Sequence, residues 1–318
     1  MSVTVCIPTY NYGHLIARAI SSALEQEHVS EILVLDNASI DSTENVISQF
    51  KDSRVRYMRS SVNLGFAGNL KRGFELASRE FVIFLCADDF LYPDHIRRTV
   101  EMLRKYPEMG FVHTAHDYVD DEGKCLLHKT YKWKSRMSGE EFLNYIKAQW
   151  LWGICLSSAL IRREDLKNAG GVDTDLRFAA DYGMWLNLCL TKEVGYIAEP
   201  LAGYRLHSNQ SSGIFVPGLK QSVFEKIAAA MRRRKIYLNS LEPAFRKMAF
   251  IAFARELPRR RIEGLTVSQA ASEIRSWARK DPQSLLSPQV LSLIVFAFVP
   301  KFFLKYLQRF YKKARRIS

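Results

Sequence analysis

Between residues 3 and 86 the apolar positions fall into two alternating rhythms. Short, mostly apolar runs at 3–7, 32–35, 55–58 (broken by Arg56) and 81–86 are too brief for typical helices and read as strands, the last buried on both faces. Between them Leu15, Ile16, Ala19, Ile20, Ala23 and Leu24 recur at helical spacing. A second helix carries Val46, Ile47 and Phe50, with Ser39 or Asp41 as its cap. Residues 63–69 form a glycine-containing loop that opens a third helix, running through Ala77. Strands alternating with helices imply right-handed crossovers and a mostly parallel, Rossmann-like sheet with flanking helices.

The pattern continues with a helix starting at Tyr92-Pro93-Asp94, a strand at 111–114, and a helix whose Ser138 and Glu141 have capping-box spacing. A strand near 157–161 precedes a short helix stopped at Gly170-Gly171. A helix then runs from Ala180-Asp181-Tyr182 to about Leu190, and a last strand at 196–198 precedes Pro200. Residues 117–135 are polar and lack periodicity, which predicts a mobile loop or hairpin over a crevice. After Gly218 only helical patterns remain. The expected division is therefore an α/β domain over residues 1–218 and a helical region over 219–318.

Charge sharpens that division. Of the formal net charge of +13, residues 219–318 contribute 22 Lys and Arg against 6 Asp and Glu, whereas the first 218 residues hold 24 against 27. The basic residues share their segment with an aromatic and aliphatic run at 290–310, interrupted by Pro300 and followed by Lys312, Lys313, Arg315 and Arg316. Its uncharged part is shorter than a spanning helix requires. We read a kinked amphipathic helix on an anionic membrane surface, in preference to nucleic-acid binding. Five cysteines without Cys-x-x-Cys or finger spacing suit a reducing compartment, and no export signal precedes the first strand. A peripheral protein on the cytoplasmic side of the membrane is the expected location.

Polar residues gather where strands should end: Pro8-Thr9-Tyr10-Asn11, Asp36-Asn37, Asp88-Asp89, and the helix start at Asp181. In an open α/β sheet those ends face the ligand crevice. The adjacent carboxylates Asp88 and Asp89 repel, and a divalent cation relieves that repulsion. In order, the segments Val5-Cys6-Ile7-Pro8-Thr9-Tyr10-Asn11, Val34-Leu35-Asp36-Asn37-Ala38-Ser39, Asn63-Leu64-Gly65, Ala87-Asp88-Asp89, Asp181-Tyr182-Gly183-Met184-Trp185 and Tyr204-Arg205-Leu206-His207 closely resemble the family 2 glycosyltransferases of the GT-A fold. Such enzymes move a sugar from a nucleotide diphosphate donor with inversion at the anomeric carbon.

The resemblance implies a nucleotide-sugar site built from Pro8, Thr9, Tyr10, Asn11, Asp36, Asn37, Asn63, Gly65, Asp88, Asp89 and Arg205. Tyr10 would stack on the base, and Asp36 would accept from the N3–H of uracil or thymine, pointing to a UDP- or dTDP-sugar. Asp88, with Asp89 and His207, would hold Mn²⁺ or Mg²⁺, and Arg205 would meet the pyrophosphate. Asp181 would be the base, and Trp150 and Trp152 a platform for the acceptor. The basic tail points to a lipid-linked saccharide acceptor for envelope polysaccharide. Cys86 and Ala180 stand where the family usually has acids, so a non-catalytic sugar-nucleotide or membrane-binding protein on a decayed scaffold is the rival reading. A nucleotidyltransferase would need a glycine- and lysine-bearing loop after the first strand, which residues 8–13 lack.

Overall fold

The computed structural model describes residues 2–149, 154–207 and 266–280. The chain divides into two compact units, Met1–Gly213 and Ile214–Ser318. The first begins with β1 (Val3–Thr9), α1 (Ile16–Leu24), β2 (Val29–Asp36), α2 (Thr43–Ile47), β3 (Val55–Arg59), α3 (Gly65–Leu76) and β4 (Phe81–Phe84). It continues through β5 (Phe90–Leu91), α4 (His95–Lys105), β6 (Met109–Val119), β7 (Cys125–Lys129), β8 (Arg136–Met137) and α5 (Gly139–Gln149). A 3-10 turn (Leu156–Ser158), β9 (Ala159–Arg162), α6 (Arg163–Asn168), a second 3-10 segment (Thr174–Ala179), α7 (Ala180–Cys189) and β10 (Glu193–Arg205) complete it.

All ten strands join one sheet in the order β3-β2-β1-β4-β9-β6-β10-β5, with β7 paired to β6 and β8 to β10. The strands β3, β2, β1 and β4 are mutually parallel, as the alternating pattern predicts. The other half corrects the expectation of a mostly parallel sheet. β9 lies antiparallel between β4 and β6, and β5, β7 and β8 also pair antiparallel. The reason is local: β9 enters the sheet beside the carboxyl end of β4, with Leu160 opposite Ile83 and Arg162 opposite Phe81, so it can only run back.

The expected strands exist with different ends. β4 stops at Phe84 because Cys86 N leaves the ladder to donate to Ser157 Oγ at 3.0 Å. Pro200 does not end the last strand; register shifts flank it within β10, where a residue without N–H is tolerated. The aperiodic stretch 117–135 contains the β6–β7 hairpin, whose Gly123 has φ +82° and lies against the Arg18 guanidinium, which a side chain there would have to displace. Ile16, Ala19, Ile20 and Ala23 of α1 and Ile96, Val100 and Leu103 of α4 pack with Val3, Val5, Ile7, Ile32 and Val34 in one buried cluster. Cys6, on the opposite face of β1, donates to Gly73 O in α3. All five cysteines are free thiols.

In the second unit the described residues form one helix, α8 (Val267–Lys280), opened by a reciprocal cap: Gln269 N donates to Thr266 Oγ1 and Thr266 N to Gln269 Oε1. The expected amphipathic tail at 290–310 and the final basic residues lie outside the described residues. Among the described residues no helix is long and apolar enough to cross a membrane.

Candidate active site

The carboxyl ends of β1, β2 and β3 lie side by side, with Thr9 opposite Asp36 and Asp36 opposite Arg59. Their loops are latched by short polar side chains. Asn11, with φ 59°, donates its N–H to Ser39 Oγ and accepts from Ile40 N at 2.9 Å each. Asp41 accepts from Gly13 N at 3.0 Å and also caps α2 through Thr43 N. Asn37 donates to Asn63 Oδ1 at 2.8 Å and accepts from Leu64 N at 2.8 Å, while Asn63 also accepts from Gly65 N. Asn37, Asn63 and Gly65 therefore come together as one clasp. Pro8 is half-buried and Thr9 buried, and the Tyr10 ring is 42% exposed, open to stacking.

Asp36 is placed differently from the expectation that it reads a base edge. It is fully buried, and its oxygens accept from Ser39 N at 2.9 Å, Tyr57 Oη at 2.6 Å and Arg59 Nη1 at 3.1 Å. Burial, together with the bond to Asp36, pushes the Tyr57 hydroxyl up to about 12. Two side chains from β3 reach the carboxylate first, so a base touches it only after Arg59 or Tyr57 moves aside.

The paired acids also separate in role. Asp89 is buried, accepting from Ser157 Oγ at 2.5 Å and from Arg205 N at 3.0 Å; burial, then the charge of Asp88, raises its pKa well above the usual carboxylate range. Arg205, expected on a pyrophosphate, is buried against carbonyls instead: Nε donates to Asp88 O at 2.8 Å and Nη1 to Asp120 O and Asp121 O. Asp88 is the acid that faces outward. Its Oδ2 lies 3.1 Å from His207 Nε2, and its charge helps burial raise the pKa of Tyr12, whose ring meets the His207 ring edge-on at 5.8 Å. The structure thus brings Asp88 and His207 together.

Donor atoms of Cys86, Asp88 and Asp89 lie within 4.8 Å of one another. Mn²⁺ and Mg²⁺ prefer oxygen and accept imidazole, so Asp88 and His207 fit such an ion. Asp89 has its oxygens engaged, and the Cys86 thiol, raised by burial and by both acids, is a poor partner for a hard ion.

Asp181 occupies the first turn of α7. Its Oδ1 is shielded from solvent and has no hydrogen-bond partner, and burial pushes the carboxyl up to about 6. An unpaired buried acceptor is costly, so its retention is notable chemistry: a carboxylate of that pKa can take a proton near neutrality. Just before α7, Arg177 has the strained backbone angles φ 51° and ψ −115°. A groove of about 610 Å³ between Arg177 and the start of α3 includes Gly65 but not Asp36, Asp88, Asp89 or Asp181.

Trp150 and Trp152 lie outside the described residues. Sequence reasoning missed Tyr12, Ser157, Tyr57 and Arg59. Tyr12 sits within the turn that follows β1, whereas Tyr57 and Arg59 are placed by β3 and Ser157 by the 3-10 turn before β9, and none of these carries a local signal.

The model described as Glycosyl transferase family 2 matches residues 4–170, so the chain belongs to that family. An uncharacterized glycosyltransferase, alr2836 of Nostoc sp., is 29% identical over 217 residues, covering 65% of each chain; this chain thus spans about two thirds of that relative. The Escherichia coli UDP-Glc:alpha-D-GlcNAc-diphosphoundecaprenol beta-1,3-glucosyltransferase WfaP is 26% identical over 241 residues, 74% of this chain and 90% of that one. Staphylococcus aureus TarS 1–349 with UDP superposes with a TM-score of 0.60 at 16% identity, covering 80% of this chain and 71% of that chain. The Pyrobaculum calidifontis mannosyltransferase PcManGT, solved with GDP-Man and Mn²⁺, gives 0.53 at 19% identity, covering 94% and 86%. These solved structures establish the GT-A fold.

Proposed function

We infer that the protein is an inverting, cation-dependent glycosyltransferase that moves a sugar from a UDP- or dTDP-sugar to a hydroxyl of an undecaprenyl diphosphate-linked saccharide, in envelope polysaccharide synthesis. The observation that carries the reading is Asp181, a shielded carboxylate with an unpaired oxygen and a pKa raised to about 6. Membership of the family supplies the reaction class, and the named substrates of WfaP support the donor and acceptor classes.

Asp181 takes the proton of the acceptor hydroxyl as that oxygen bonds to the anomeric carbon. The bond from that carbon to the donor phosphate breaks on the opposite face, and the nucleoside diphosphate leaves with the electron pair. Tyr10 offers the stacking surface for the base, on loops held rigid by Asn11, Ser39 and Asp41. Asp88 and His207 hold the divalent cation, and Asp89 and Arg205 fix the backbone that presents Asp88. When bound, the cation offsets negative charge on the leaving diphosphate. The basic composition of 219–318 supports a position at the cytoplasmic membrane face, within reach of a lipid-linked acceptor.

The test is nucleoside diphosphate release from a panel of UDP-, dTDP- and GDP-sugars, with an undecaprenyl diphosphate-linked saccharide and Mn²⁺ or Mg²⁺. Release from one donor that needs the acceptor, stops on chelation and falls at least 100-fold in Asp88→Ala is the expected result. Nucleotide binding with no release from any donor would favour the decayed scaffold.

A further inference from the structure

The β6–β7 hairpin carries a second cluster of metal-binding side chains, outside the crevice machinery. Asp117 Oδ1 lies 2.7 Å from His128 Nδ1, and Cys125 Sγ lies 3.7 Å from the same nitrogen. One donor atom from each residue falls within 4.8 Å of the other two. Cys125 and His128 are three residues apart, a spacing that puts side chains on opposite faces of a regular strand. A register shift next to Tyr118 and Val119 corrects this, so that His128 pairs with Asp117 while Cys125 pairs with Val119. The bulge thus gathers three ligand types on one side of the hairpin.

From these observations we propose that the hairpin is a binding site for a borderline-soft divalent cation of the Zn²⁺ class, held by Cys125, His128 and Asp117. A thiolate with an imidazole and a carboxylate selects Zn²⁺ or Co²⁺ over the hard ions suited to Asp88. With ordinary Zn–S and Zn–N or Zn–O lengths, ligand atoms on a tetrahedron stand roughly 3.3–3.6 Å apart. The sulfur–nitrogen distance of 3.7 Å is just beyond that range, and the Asp117–His128 pair needs only to open where an ion replaces the shared proton. Tyr92 Oη donates to Asp117 Oδ2 at 3.0 Å and so orients the carboxylate, as supporting groups do around metal ligands. Cys125 and His128 are exposed, which leaves an entry path and room for a water as fourth ligand.

The site acts as a brace. Its turn supplies the Asp120 and Asp121 carbonyls that receive Arg205, and the Glu122 carbonyl that receives Arg18 at 3.0 Å. Arg205 in turn holds Asp88 O. A cation across β6 and β7 therefore stiffens the support under Asp88 without touching the donor site.

The experiment is titration of the full-length protein with Co²⁺, followed by hydrogen exchange of the hairpin with and without Zn²⁺. The expected result is one thiolate-to-cobalt absorption band per chain, absent in Cys125→Ser, retained in Cys86→Ser, and requiring at least tenfold more Co²⁺ in His128→Ala. Zn²⁺ should slow exchange of residues 117–129 at least tenfold in the wild type and not in Cys125→Ser. A missing band, or one that survives Cys125→Ser, overturns the site. Binding without slowed exchange overturns the brace. Both substitutions lie at exposed positions, and unchanged far-ultraviolet circular dichroism distinguishes lost ligation from lost fold.

Discussion

Asp36, at the end of β2, and Asp181, in the first turn of α7, are one residue type in opposite conditions. Around Asp36 the loop after β2 and two side chains of β3 answer its oxygens: a backbone N–H, a tyrosine hydroxyl and an arginine. Around Asp181 only backbone N–H groups of its own turn offset burial, and Oδ1 has no partner among the described residues. The first arrangement lowers the energy of the fold, and the second raises the energy of the ionised carboxylate. Polar satisfaction therefore marks the framework of this site, and its absence marks the chemistry.

The largest effect that tests this contrast is on Asp181. Asp181→Asn should lower kcat by about 10²–10⁴-fold with little change in donor KM, because the side chain loses its role as base but keeps its shape. The wild-type rate should fall as pH drops through about 6, since the base must be ionised, and that limb should vanish in the variant's residual activity. Stability should move the other way. A carboxyl raised from 3.8 to about 6 is a cost to the fold at neutral pH, a cost that fades as pH falls from about 6 toward 3.8. Removing the charge should therefore stabilise the protein by about 1–2 kcal/mol near pH 7 by denaturant unfolding. A destabilised Asp181→Asn would refute the contrast.

Asp36→Asn should do the reverse, costing about 2–3 kcal/mol of stability because Arg59 and Tyr57 lose a buried carboxylate. If instead stability holds and donor KM rises selectively for UDP- and dTDP-sugars, Asp36 reads the base directly after Arg59 swings aside.

The smallest effect lies in the same latch. Ala38 holds φ 65°, which a residue with a Cβ adopts at a cost of roughly 1–2 kcal/mol. Ala38→Gly relieves that strain but loosens the unfolded chain, leaving a net gain of up to about 1 kcal/mol in the denaturant midpoint. A loss would show that the loop uses the Ala38 methyl for packing.

Much of this molecule was legible along the chain. The runs at 3–7, 32–35, 55–58 and 81–86 became β1 to β4: β1, β2 and β4 are buried on both faces and so almost wholly apolar, whereas the edge strand β3 is partly exposed and carries Arg56 and Arg59. Asp88 and His207 were named from sequence order and meet at 3.1 Å. The antiparallel return of β9 was not legible, since a short apolar run reads alike in either direction. Nor was the burial of Arg205 and Asp89, which depends on carbonyls and hydroxyls from elements far along the chain.

By itself the sequence determined the alternation of strands and helices, the family, and the order of the candidate carboxylates along the chain, because these follow from local pattern and residue order. Only the tertiary structure decided which of those carboxylates are free to act. Solvation and hydrogen-bond partners come from residues distant in sequence: Tyr57 and Arg59 close off Asp36, Ser157 and Arg205 engage Asp89, and among the described residues no group answers Asp181 Oδ1.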